Sequence, residues 1–122
     1  MYEELTRDIN AAAIEVHREL GPGLLESTYE ECLCHELSSH GLSFRRQEPL
    51  PVVYKQVRLD CGYRMDIVVE AKVLIELKSV AALLPLHEAQ LMTYLKLSGF
   101  KVGLLMNFNV ELLKNGIRRR VL

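Results

Sequence analysis

Asp66, Glu76 and Lys78 are the residues of this chain whose types and spacing could do chemistry together. The segments YRMDIVVE (63–70) and KVLIELKSV (72–80) both read as strands, and only Ala71 lies between them. Two such runs should pair antiparallel. With the turn centred on Ala71, Val68 faces Leu74, Asp66 faces Glu76, and Lys78 lies two residues further along the same face. Facing Cβ atoms sit about 4.5–5.5 Å apart, and two carboxylates that close repel unless a cation or a shared proton lies between them. Carboxylate oxygens suit a hard cation such as Mg²⁺. A water on that cation is a better nucleophile at neutral pH, and a neighbouring lysine can orient it or offset negative charge in a phosphoryl transition state. The chemistry implied is metal-assisted hydrolysis of a phosphodiester. A shift of one residue in register would put Asp66 opposite Leu77 and on the wrong face. The plainer alternative is an amphipathic hairpin with Met65, Ile67, Val69, Val73, Ile75 and Leu77 inward and the charges in water.

Other polar residues stand where apolar ones are expected. Glu26 precedes Tyr29 by three residues and Leu33 by seven, which places it on the apolar stripe of a helix. It needs a partner there, or else it simply favours the positive end of the helix. Gln90 and Tyr94 are four apart and share a helix face. They are either a polar pair turned toward a site or a satisfied core glutamine beside a snorkelling tyrosine. Arg45-Arg46 and Arg118-Arg119-Arg120 are local basic clusters, suited to phosphates or to solvent. Cys32, Cys34, His35 and His40 lie close in sequence, but on a helix Cys32 and Cys34 point about 200° apart and could not hold one zinc from one face.

The elements that must position these residues follow from periodicity. Leu5, Ile9, Ala12, Ala13, Val16 and Leu20 predict a helix over about 5–20, with Thr6 as a plausible N-cap. Gly and Pro in LGPG stop it. A second helix is predicted from about Leu25 to Ser39, ending at Gly41. FRRQEPLPVVY (44–54) reads as one extended segment, with Pro49 and Pro51 marking an edge or a bulge. The strands at VRLD, 63–70 and 72–80 come next, then a helix opened by Pro85 and closed by Gly99, a buried strand at KVGLLMNF, a helical turn, an Asn-Gly turn and a last strand. The coarse order is α, α, β, β, β, α, β. A length of 122 residues, with 49% hydrophobic and 25% charged, predicts one domain over 1–122 with a modest core. A net charge of −1 gives no overall basic field. Three cysteines without framework spacing predict a reducing cytoplasm, and no apolar run is long enough to span a bilayer.

The motifs resemble a known family. Asp66 followed by Glu76-Leu77-Lys78 resembles the D…(D/E)-x-K signature of PD-(D/E)XK nucleases, with Met65 where that signature has proline. Gln90-Leu91-Met92-Thr93-Tyr94 resembles the Q-x-x-x-Y motif of the RecB-like branch, and Gly23 to Tyr29 fits the pattern of the GxxExxY proteins, along with EVHRELGPGLLES, LPVVYK, HEAQLMTYL and MNFN. The resemblance covers almost the whole chain. It implies an α/β fold with a mixed sheet, a restriction-endonuclease-like αβββαβ core, and an added N-terminal helix. It further implies Asp66 and Glu76 as ligands of Mg²⁺ or Mn²⁺, joined by the Leu77 carbonyl and by Glu26. Lys78 would be the catalytic lysine, Gln90 would position substrate or water, and Tyr94 and Tyr29 would support the site. Nucleic acid, DNA in the first place, would be the substrate, met also by Arg45 and Arg46. A nuclease-like fold kept only as a binding or assembly subunit is the alternative. So small a chain suggests that a full substrate groove takes a homodimer.

Overall fold

The computed structural model describes residues 1–122. Helices α1 (Glu3–Leu20) and α2 (Glu26–Ser39) come first. Strands β1 (Phe44–Pro49), β2 (Val52–Tyr54), β3 (Val57–Leu59), β4 (Arg64–Val69) and β5 (Val73–Lys78) follow. Then come α3 (Pro85–Ser98), β6 (Val102–Asn107), a short 3₁₀ turn (Leu113–Gly116) and β7 (Ile117–Val121). One sheet has the order β1-β4-β5-β6-β7. Its neighbours are antiparallel except β5 and β6, which run parallel with α3 as the crossover. Taken in chain order, α2, β1, β4, β5, α3 and β6 form the expected αβββαβ core. The helix α1 is added in front, and β7 extends the sheet.

Three expectations need correcting. The segment 44–54 is not one strand: β1 ends at Pro49, and β2 pairs with β3 in a separate two-stranded sheet. Two prolines two positions apart, Pro49 and Pro51, remove two ladder donors, so the chain leaves the sheet between them. Thr6 does not cap α1, which begins at Glu3. Its hydroxyl instead donates to the Glu3 carbonyl from within the first turn, at 3.1 Å. Met65 does not share a face with Ile67 and Val69. It packs with Leu50, Val68 and Leu74, because the β1–β4 ladder is interrupted beside Asp66 and strict alternation fails there.

The sheet is covered on both faces. On one, Ile67, Val69, Val73, Ile75 and Leu77 meet Ile9, Ala12 and Val16 of α1 and Tyr29, Leu33 and Leu37 of α2. On the other, Val68, Leu74 and Leu105 meet Leu91, Tyr94 and Leu95 of α3. A strand covered on both faces needs apolar residues at every position, not at alternate ones. β5 meets this from Val73 to Leu77 except at Glu76. Gly103 of β6 sets the distance of α3: an added Cβ would come within 2.8 Å of Leu91 Cδ1. That close approach holds the turn of α3 that carries Gln90.

Candidate active site

The β4–β5 ladder pairs Val69 with Val73, Val68 with Leu74 and Ile67 with Ile75, the register that a turn centred on Ala71 requires. At the next position, side chains replace backbone partners. The Asp66 N–H donates to Glu76 Oε2 at 2.8 Å, and the Leu77 N–H donates to Asp66 Oδ2 at 2.8 Å. Each carboxylate is thus fastened to the backbone of the opposite strand, and the two acids face each other at the end of the ladder.

Burial makes this pair electrostatically tense. Glu76 is only 5% exposed. Desolvation, and next the nearby Asp66 charge, push its carboxyl up to about 8. Asp66 is also raised, chiefly by burial, while its bond from Leu77 pulls the other way. A site that holds two acids against desolvation and mutual repulsion favours whatever brings positive charge to it.

Lys78 supplies one such charge from the end of β5. Its Nζ donates to Gln90 Oε1 at 3.4 Å, and Gln90 Nε2 donates to Tyr94 Oη at 3.4 Å. The four-residue spacing on α3 therefore turns both side chains toward β5. Tyr94 also meets the Tyr63 ring edge-on, with centroids 6.1 Å apart, and burial raises its phenol above the usual range.

The α2 side differs from what spacing predicts. Glu26 is exposed in the first turn and makes no side-chain hydrogen bond, so it does not occupy the apolar stripe. It still stands near the end of β5, since the Ser79 hydroxyl donates to the Leu24 carbonyl at 2.8 Å. One turn further, Glu30 is the buried acid of α2. It accepts from Arg46 Nη2 at 2.9 Å and from Gln47 Nε2 at 2.7 Å. Gln47 Nε2 also reaches Asp66 Oδ1 at 3.4 Å, so Glu30 and Asp66 share one amide. Sequence reasoning missed both Glu30 and Gln47. Glu30 precedes Leu33, Cys34 and Leu37 by three, four and seven residues, a helical spacing that marks it as buried. Gln47 carries no such signal. Tyr29 holds the loop before α2, donating to the Gly21 carbonyl at 2.6 Å, accepting from the Leu24 N–H at 3.1 Å and stacking on Phe108.

Arg45 pairs with Glu48 at 3.1 Å in solvent, and Arg46 is bound by Glu30 and Glu31. Cys34 is buried, and desolvation pushes its thiol up to about 11. No group of three or more His, Cys, Asp or Glu side chains is arranged to hold a metal ion. Asp66, Glu76 and the Leu77 carbonyl nonetheless fit a hard cation of the Mg²⁺ type, which binds through one or two carboxylates and keeps several waters. Glu76 Oε1 accepts no hydrogen bond, and Asp66 Oδ1 accepts only the long one from Gln47, so each acid has an oxygen to offer. Open clefts lie elsewhere, about 490 Å³ beside Arg7 and Asn10, about 480 Å³ beside Asp8 and Lys72 and about 420 Å³ between His17 and Leu113. No helix is long and apolar enough to cross a membrane.

Comparison with known proteins adds one finding. The family model described as the PD-(D/E)XK nuclease superfamily matches residues 3–120. No curated protein and no solved structure matches the chain.

Proposed function

Since the chain belongs to the PD-(D/E)XK nuclease superfamily, whose nucleases generally use divalent metals, we propose that it is a metal-dependent nuclease. It would hydrolyse phosphodiester bonds in nucleic acid, DNA in the first place, in repair, processing or defence. The observation that carries this reading is the pair of facing carboxylates, buried Glu76 and half-buried Asp66, with Lys78 beside it. The two backbone bonds the pair accepts do not remove its cost, because desolvated, mutually repelling acids without a cation weaken the fold.

Asp66 and Glu76, with the Leu77 carbonyl, would hold Mg²⁺ or Mn²⁺, and Glu26 at the rim would add a ligand through water. When bound, such an ion polarises a phosphoryl oxygen and lowers the pKa of water. The Lys78 ammonium, steadied by Gln90, stands where negative charge grows during attack at phosphorus. Tyr94 holds Gln90, and Tyr29 holds the loop that carries Glu26 toward β5. Arg45 is the arginine better placed to meet a phosphate, since its pair with Glu48 lies in solvent whereas Arg46 is held by two acids of α2. The Gln90 and Tyr94 pair supports a place in the RecB-like branch.

The test is cleavage of single- and double-stranded DNA and RNA in Mg²⁺ or Mn²⁺. The expected result is cutting that stops with chelator and falls at least about 100-fold in Asp66→Asn and in Glu76→Gln, more than the usual effect of a residue that only orients a ligand. Folded wild-type protein that cuts none of these substrates with either metal would sink the proposal. A second reading, a silent nuclease fold that binds nucleic acid or an assembly, is favoured by the absence of a three-ligand cluster and by the neutralised Arg46. It predicts salt-dependent DNA binding that chelator leaves unchanged.

A further inference from the structure

We propose that Gln47 is a positioning residue that sets the Asp66 carboxylate for metal binding, and that a left-handed kink in β1 serves to deliver it. The inference rests on the nuclease reading for the identity of Asp66 as a ligand. Successive side chains of a regular strand point to opposite faces. Arg46 and Gln47 are neighbours in β1, yet both reach the same carboxylate, Glu30. The backbone explains how: Gln47 has φ 49°, a left-handed conformation that disfavours any residue with a Cβ. The β1–β4 ladder pairs Arg46 with Ile67 and Glu48 with Met65 but skips Gln47 and Asp66. The same register resumes on both sides, so no residue is inserted. Such conformations persist where the surroundings hold them, and they gather at functional sites.

What the kink achieves is visible in the amide. Both acceptors are carboxylates, so the amide nitrogen, and not its oxygen, must face them. One N–H goes to Glu30 Oε1 at 2.7 Å and the other to Asp66 Oδ1 at 3.4 Å. Glu30 is itself fixed by Arg46. The other Asp66 oxygen is fixed by the Leu77 N–H. Asp66 is thereby held through both oxygens, one from β5 and one through a chain that starts at α2. A merely structural Gln47, tying β1 to α2, would need only its bond to Glu30.

Gln47→Gly separates these roles, because glycine accepts the backbone conformation and removes the amide. Gln47→Asn, which keeps an amide too short to span both acids, guards against a variant that folds poorly. Two readouts apply: Mn²⁺ affinity by calorimetry, and hydrogen exchange of the Leu77 amide by NMR. Both variants should bind Mn²⁺ about 10–100-fold more weakly and should exchange the Leu77 amide several-fold faster while Leu74 is unchanged. Wild-type affinity with unchanged Leu77 exchange would overturn the proposal. So would a drop in melting temperature with Leu77 and Leu74 exchange altered alike, the mark of a structural tie. Wild-type protein that binds no Mn²⁺ would refute the nuclease reading instead, and Leu77 exchange would then decide whether Gln47 holds Asp66.

Discussion

The hairpins β2–β3 and β4–β5 follow one another in the chain and have inverted polarity. β4–β5 keeps Glu76 at 5% exposure, whereas β2–β3 leaves Val53, Tyr54 and Val57 each more than half exposed. Their turns do not explain this. Lys55 and Gln56 in one, and Glu70 and Ala71 in the other, all have positive φ without a glycine among them. The difference lies in what covers them. β4–β5 is the middle of a sheet with α1 and α2 on one face and α3 on the other, while β2–β3 forms a sheet of its own. Residue polarity is therefore a poor guide to burial here. Glu76 is inside, and Asp66 half inside, because neighbouring elements close over them, and Val53 and Val57 are outside because nothing does.

That contrast can be broken at several points. Leu74→Ala should cost the most, about 2–5 kcal/mol, because Leu74 is fully buried beneath α3; urea unfolding measures it. Glu76 should impose a smaller effect that depends on pH. Its folded pKa is about 8 against an ordinary 4.5, so between these values the folded chain keeps a proton that the unfolded chain has released. In chelator, stability should therefore fall as pH rises from about 4.5 to about 8, by a few kcal/mol. Glu76→Gln should flatten that decline, and an unchanged slope would show that Glu76 is not the group responsible. Val57→Thr on the exposed hairpin should do least, within about 0.5 kcal/mol. A loss comparable to Leu74→Ala would mean that β2–β3 is covered in solution.

The legible parts of the molecule were those set by local rules. Hairpin register followed from a short turn and two apolar runs, and it brought Asp66 opposite Glu76. Four-residue spacing put Gln90 and Tyr94 on one face of α3. What escaped depended on distant partners. Glu26 and Glu30 are one turn apart, and which is buried depends on where β1 and β4 pass. Pro49 and Pro51 signalled an interruption but not that the chain would leave to form a second sheet. The kink at Gln47 has no glycine to mark it, because side-chain bonds to Glu30 and Asp66 hold it in place of intrinsic preference.

β1 is also an outer strand of the sheet. An outer strand offers unpaired N–H and C=O groups on which another molecule's strand can grow. In β1 the regular run lasts from Phe44 to Arg46 before Gln47 turns the backbone aside, and Pro49 lacks an N–H. At the opposite border, β7 presents Arg118, Arg119 and Arg120 in succession. Both borders thus resist edge-to-edge aggregation, one by shape and the other by charge. The distortion that brings an amide to Asp66 also protects the chain against its own copies.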